Sequence, residues 1–263
     1  MRIFNDKYFN RTLYRLALPI ALQELMLALV AAADAIMLGR LDQDSMTAVS
    51  LATQIQFIQG TILYSVVEAI SALAAQYWGK KDRKTAVDIM CIGLRVSGFI
   101  CIVFFIGTVF FPRMLMNLMT NSELLVDIGV EYLKIAGWSY LIIGTSRCYL
   151  CMMKIYGCEK QAAVISSTTV VLNIVLNAIF IFGLFGIPSM SVRGAAVATV
   201  ISRIIEIGWC IVFSLGKGHV HPSFKALFTR IRVLSADFAR TVLPLIGAGL
   251  LWGIGFTAYT SFM

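Results

Sequence analysis

Apolar stretches long enough to cross a bilayer recur from one end of this 263-residue chain to the other, and no other feature narrows its fold so far. A hydrocarbon core about 30 Å thick needs about 20 apolar residues as helix. Inside it every backbone amide and carbonyl must be bonded within the protein, which a helix does segment by segment. Seven such stretches are read, at about 13–38, 47–77, 87–111, 124–153, 161–184, 192–216 and 241–263. The second and fourth exceed what a straight crossing needs, so they are expected to tilt or project beyond the bilayer. Composition agrees, because 14% of residues are charged against about 25% in a soluble domain. So few charges could not cover a water-exposed globule. The predicted fold class is an all-α polytopic membrane protein.

The charges that remain are sorted by side. Fifteen basic residues fall in alternate loops: Arg2, Lys7, Arg11 and Arg15; Lys80, Lys81, Arg83 and Lys84; Lys154 and Lys160; Lys217, Lys225, Arg230, Arg232 and Arg240. Four (Arg40, Arg113, Lys134 and Arg193) fall on the opposite side, which also carries Asp42, Asp44, Glu123, Asp127 and Glu131. Basic residues favour the cytoplasmic side, so the N-terminus is predicted inside a plasma or inner membrane. Basic residues scattered over separate loops do not make a nucleic-acid footprint. The first apolar stretch is too long for a cleavable signal and lacks its small-residue cleavage site.

Between Gly216 and Arg240 lies the longest predicted cytoplasmic connection. Leu227, Phe228, Ile231, Leu234 and Phe238 share one helical face there, as in an amphipathic helix on anionic lipid. Beyond it, Arg240-Thr-Val-Leu243-Pro244 restates Arg15-Leu-Ala-Leu18-Pro19, and Leu250 matches Leu25. Parallel halves related in this way are common in transporters. The expected organisation is a six-helix lobe (1–216), a linker (217–240) and the first helix of a second lobe (241–263). On this reading a chain ending at Met263 with no polar tail is a fragment.

Polar residues inside apolar spans are expensive and are the candidates for function. The first span holds Glu24 and Asp34. Asp34 lies six residues, or about 9 Å of helix, before Arg40. The fifth span holds Asn173-Ile-Val-Leu-Asn177, whose spacing puts two amides on one face. They can line a cation site or hydrogen-bond between helices. Thr199 lies about 9 Å in from Arg193 on the sixth span. Asp34, Asn177 and Thr199 therefore share a depth, with Asn173 deeper, which a single site requires but which does not by itself make one. Glu68 is a further titratable group or a partner for Arg95 or Arg147, and Arg203 with Glu206 reads as a structural ion pair three residues apart. Cys148-x-x-Cys151 has metal-like spacing without a second pair and reads as helix packing. His219-x-His221 reads as a solvated loop. No P-loop, Ser/His/Asp arrangement or zinc signature occurs, and no cofactor is expected.

Several motifs resemble the multidrug and toxic compound extrusion (MATE) transporters. They are Leu18-Pro19; Asp34-Ala-Ile-Met-Leu-Gly39-Arg40-Leu41; Ala75-Gln76-Tyr77-Trp78-Gly79-Lys80-Lys81-Asp82; Asn173-x-x-x-Asn177; Phe185-Gly186-Ile187-Pro188; Val192-Arg193-Gly194-Ala195-Ala196-Val197-Ala198-Thr199; and Leu251-Trp252-Gly253-Ile254-Gly255. The resemblance implies two six-helix lobes and export of organic, often cationic, drugs or toxins against entering Na⁺ or H⁺. It also implies a cation site at Asp34, Asn173, Asn177 and Thr199. The partners implied are small organic molecules, membrane lipid and the absent second lobe. Two departures stand out. Where many relatives carry Asn-Glu on the seventh helix, this chain has Ala248-Gly249, and Glu24 and Glu68 are not expected from the family pattern. A lipid-linked oligosaccharide flippase and a non-transporting membrane subunit are the alternatives.

Overall fold

The computed structural model describes Leu18, Ala21, Leu25, Ala33, residues 36–216, Pro222 and residues 232–262. Among them there is no strand. The helices are α1 (Gln43–Gly79), α2 (Arg83–Phe110), a short α3 (Pro112–Asn117), α4 (Glu123–Ile155), α5 (Glu159–Phe182), α6 (Ser191–Ser214) and α7 (Arg232–Phe262). Apart from α3, they overlie the second to seventh predicted spans. The described residues of the first span, Leu18, Ala21, Leu25, Ala33 and 36–38, are helical too.

Among the described residues five helices are long and apolar enough to cross a membrane: α1, α2, α5, α6 and the Val233–Gly253 part of α7. The chain is a multi-pass membrane protein. α4 falls outside that group although it has 33 residues, and its place in the bundle explains why. It packs on α1, α2 and α6 together, so much of its surface meets protein rather than lipid. Its buried face includes Gly129, Gly137, Ser139, Gly144 and Ser146, small residues that let helices approach closely.

Local sequence sets the helix ends. Asp42 caps α1 by accepting from the Ser45 amide at 2.7 Å, and Asp82 caps α2 by accepting from the Thr85 amide at 3.1 Å. In both, the residue three positions on also donates its hydroxyl, a geometry typical of Asp at a helix start. Those bonds, the hydroxyl one foremost, hold both carboxyls below the usual carboxylate range. Gly183 ends α5 in the left-handed region at φ 73°, where a Cβ would meet the Ser189 amide nitrogen at 2.7 Å. The chain then turns, and α6 packs back along α5.

The core has two main parts, spread along the helices. One gathers Leu38, Val49, Ile55, Tyr140, Ile181 and Ala195; the other gathers Val66, Ile70, Ile89, Met90, Met152 and Phe238. The second corrects the predicted linker. α7 starts at Arg232 rather than 241, and Leu234 and Phe238 are buried in this cluster instead of lying on lipid. Their apolar face is a helix-packing face that sequence alone could not tell from a membrane-surface one. Leu227, Phe228 and Ile231 lie outside the described residues.

Candidate functional site

Of the four residues of the predicted cation site, three are described, and Asp34 and Glu24 lie outside the described residues. Asn173 and Asn177 are both buried on α5. The Asn177 side-chain amide donates to Asn173 Oδ1 at 3.3 Å. Thr199 is half-buried on α6 and donates its hydroxyl to the Ala195 carbonyl at 2.9 Å; among the described residues it makes no hydrogen bond to the amide pair. One packing relation links all three helices. Leu38, Ile181 and Ala195 belong to a single core cluster. Each lies four residues in sequence from a candidate: Leu38 after Asp34, Ile181 after Asn177, Ala195 before Thr199.

Sequence reasoning passed over Gln59 and Tyr140, which belong to the same region. Gln59 on α1 is fully buried, and its amide donates to the Tyr140 carbonyl of α4 at 2.8 Å. Gln59 Oε1 and the buried Tyr140 hydroxyl have no hydrogen-bond partner among the described residues. The run Gln54, Gln56 and Gln59 in an apolar span was the available signal.

A second polar region opens between α1 and α7. It is a cavity of about 870 Å³ whose lining includes Gln54, Phe57, Tyr64, Glu68, Arg147 and Trp252. Trp252 of α7 stands over Phe57 of α1, ring centroids 6.2 Å apart. Glu68 is exposed to this space. Among the described residues no ion pair joins it to Arg95 or Arg147, and Arg95 donates from Nε to the Cys91 carbonyl of its own helix at 3.3 Å. Ala248 and Gly249 line the wall facing it.

Other polar groups hold the bundle together. Arg193 of α6 makes a two-pronged ion pair with Glu131 of α4, at 2.8 and 3.1 Å, and Arg113 pairs with Asp127 at 3.3 Å. All four residues belong to the side that the loop charges grouped together. Cys148 and Cys151 are buried, with Cys148 Sγ 3.5 Å from Ser97 Oγ and Cys151 Sγ 3.6 Å from the Val67 carbonyl. Arg203 and Glu206 pair at 2.8 Å, as their spacing predicts.

The model of the MatE family matches residues 19–179, a span that holds the amide pair and the whole of α1, α2 and α4. The chain belongs to the MatE family. This MatE chain is 24% identical over 258 residues to the uncharacterized transporter YisQ of Bacillus subtilis, covering 98% of itself and 56% of that protein. It is 27% identical over 234 residues to the probable multidrug resistance protein NorM of Thermotoga maritima, covering 85% of itself and 50% of NorM. The fold matches a solved MATE structure in its bent conformation with a TM-score of 0.84 at 22% identity, over 94% of this chain and 55% of the other. A transporter of the MOP superfamily from Pyrococcus furiosus matches with a TM-score of 0.82 at 22% identity, over 93% and 54%. The MatE chain spans about half the length of the curated relatives it matches.

Proposed function

We propose that this chain supplies the first six-helix lobe, and the first helix of a second lobe, of a cation-coupled exporter of organic compounds in the plasma membrane. Its N-terminus lies in the cytoplasm, and the two lobes are joined by a linker ending near Arg232. The observation that carries the substrate side is the cleft between α1 and α7. It presents a carboxylate, Glu68, with no ionic partner among the described residues, beside aromatic surface from Phe57, Tyr64 and Trp252. A cation is attracted to both a carboxylate and the face of an aromatic ring. Ala248 and Gly249 stand where many relatives place an acid on the seventh helix, and Glu68 supplies the carboxylate from the facing wall. One carboxylate and one guanidinium in the lining favour organic cations or zwitterions over the anionic headgroup of a lipid-linked oligosaccharide.

The coupling side rests on the amide pair and on Asp34. A cation bound there stabilises the lobe arrangement that releases substrate outside, and substrate binding favours the other. Such coupling requires each ligand to bind the two arrangements with different affinity. Export belongs to the two-lobed protein; this chain alone is expected to bind substrate without moving it.

Binding is therefore the test. The purified chain in lipid nanodiscs is titrated with tetraphenylphosphonium while tryptophan emission is followed. Saturable quenching is expected, and Trp252→Phe removes it. Glu68→Gln weakens binding roughly five- to tenfold, about 1 kcal/mol. An unchanged affinity in Glu68→Gln would refute its role, and the absence of saturable quenching would refute the cleft as a binding site.

A further inference from the structure

Glu206 sits on α6, where its side chain is 3% exposed, and the proposed mechanism leaves it unused. Three side chains reach its carboxylate. Arg203 Nη1 lies 2.8 Å from Oε2, Ser146 Oγ of α4 lies 3.0 Å from the same oxygen, and Thr169 Oγ1 of α5 lies 3.5 Å from Oε1. The carboxylate is therefore the meeting point of three helices and more than one half of an intrahelical pair.

The two hydroxyls have a choice of partner. Ser146 Oγ is also 3.1 Å from the Ile143 carbonyl, and Thr169 Oγ1 is 3.0 and 2.9 Å from the carbonyls of Ile165 and Ser166. A hydroxyl has one proton and two lone pairs. When Glu206 is charged, both hydroxyls can donate to it. When it is protonated, one hydroxyl can turn to its own helix carbonyl and accept the Glu206 O–H, while the other keeps donating to the remaining carboxyl oxygen. Neither state buries a polar group without a partner, and such a loss is what makes a fixed charge in a membrane costly. Arg203 is the group whose bond changes, and its side chain is 24% exposed, so it has somewhere to go.

Thr169 also places Glu206 on the candidate cation route. Ser166, Thr169, Asn173 and Asn177 are all buried on α5, at spacings of three and four that keep them on one face. Half of the buried residues of that helix form this polar line, which starts at the amide pair and ends beside Glu206.

We infer that Glu206 is a second proton-binding carboxylate of this lobe, exchanging its ion pair with Arg203 for a proton at the inner end of the α5 polar line. The reaction is a simple protonation: one proton joins Oε1 or Oε2, and the Arg203 guanidinium, still charged, leaves the carboxylate. The charged and titratable groups near it are Arg203 and the Cys210 thiol one turn along α6, with the Tyr149 phenol of α4 beyond Cys210. From α4 and α5 it receives only the Ser146 and Thr169 hydroxyls, with no further ion pair among the described residues. Its part in coupling rests on the proposed exporter, whereas the protonation itself does not.

Infrared difference spectra of the chain in nanodiscs, acid minus neutral, test this directly. The expected result is a carbonyl band of a buried protonated carboxylic acid that Glu206→Gln removes and Asp34→Asn keeps. Arg203→Gln should move the midpoint of that band upward by about one to three pH units, since the carboxylate loses its cation. Should Glu206→Gln fail to insert, the Ser146→Ala/Thr169→Val pair replaces it, and it must shift the midpoint. A band identical in wild type and Glu206→Gln, or a midpoint unmoved by Arg203→Gln and by the hydroxyl pair, would overturn the inference. Tetraphenylphosphonium binding measured on the same samples separates that failure from a failure of the exporter reading.

Discussion

The α5–α6 seam and the α1–α7 cleft both put polar residues into apolar helices, and they are built in opposite ways. In the seam, Asn173 is 7% exposed, Asn177 is fully buried and Glu206 is 2% exposed, and the groups face one another across closely packed helices. In the cleft, Glu68 and Trp252 are exposed, and Glu68 has no ionic partner among the described residues. Burial without a partner is costly for a polar group, and in the seam Asn173 Oδ1 and the Glu206 carboxylate accept from neighbouring side chains. A group meant to meet a ligand must keep its bonding capacity open. On the proposed function the same residue types serve a cation in one place and an organic molecule in the other.

Backbone packing gives the strongest way to break this contrast. A Cβ at Gly194, at the start of α6, would lie 2.7 Å from the backbone carbonyl carbon and oxygen of Phe180, so Gly194→Ala must push α6 off α5. A loss of about 1–3 kcal/mol is expected, as for overpacking elsewhere, read as a lower midpoint in thermal or denaturant unfolding. At Gly60, in the cleft wall, a Cβ would meet nothing within 4 Å. Gly60→Ala should be tolerated, or gain up to about 1 kcal/mol from helix propensity. Equal losses at the two glycines would show that the cleft is as closely packed as the seam. The Glu68→Gln change sharpens the contrast from the other side, because it should weaken ligand binding and leave unfolding unchanged.

The smallest effect lies outside both regions, at the α2 cap. The Asp82 carboxyl sits below its ordinary value through its bonds from Thr85, the hydroxyl first. A depressed carboxyl stabilises the fold above its unfolded value, and that contribution is lost as pH falls through the folded one. Asp82→Asn should keep the cap bond and flatten the acid side of the unfolding midpoint against pH. An unaltered acid limb would mean that Asp82 contributes nothing there.

What sequence could reveal followed the reach of its periodicity. The Asn173–Asn177 pair was legible because an i, i+4 relation is local to one helix, and so was Arg203–Glu206. The hydroxyls on Glu206 were not, since Ser146 and Thr169 lie 60 and 37 residues away in sequence. Glu68 was legible as an acid in an apolar span, but whether it faced Arg147 or open space depended on how α1 is rotated. The start of α7 was misplaced for a related reason. Arg232, Asp237 and Arg240 gave it the composition of a loop, and only packing shows Leu234 and Phe238 turned into the core.

On the proposed function cleft and seam are thermodynamically linked, and linkage is measured as a change in one affinity caused by the other ligand. The dissociation constant for tetraphenylphosphonium, read from Trp252 emission, would be determined across pH and Na⁺ concentration in the two-lobed protein, wild type and Asp34→Asn. Weaker binding is expected as H⁺ or Na⁺ rises, by about 5- to 150-fold at saturation, and a smaller response in Asp34→Asn, where the Glu68 and Glu206 carboxylates remain. An affinity that stays constant under every condition in the wild-type two-lobed protein would contradict the linkage.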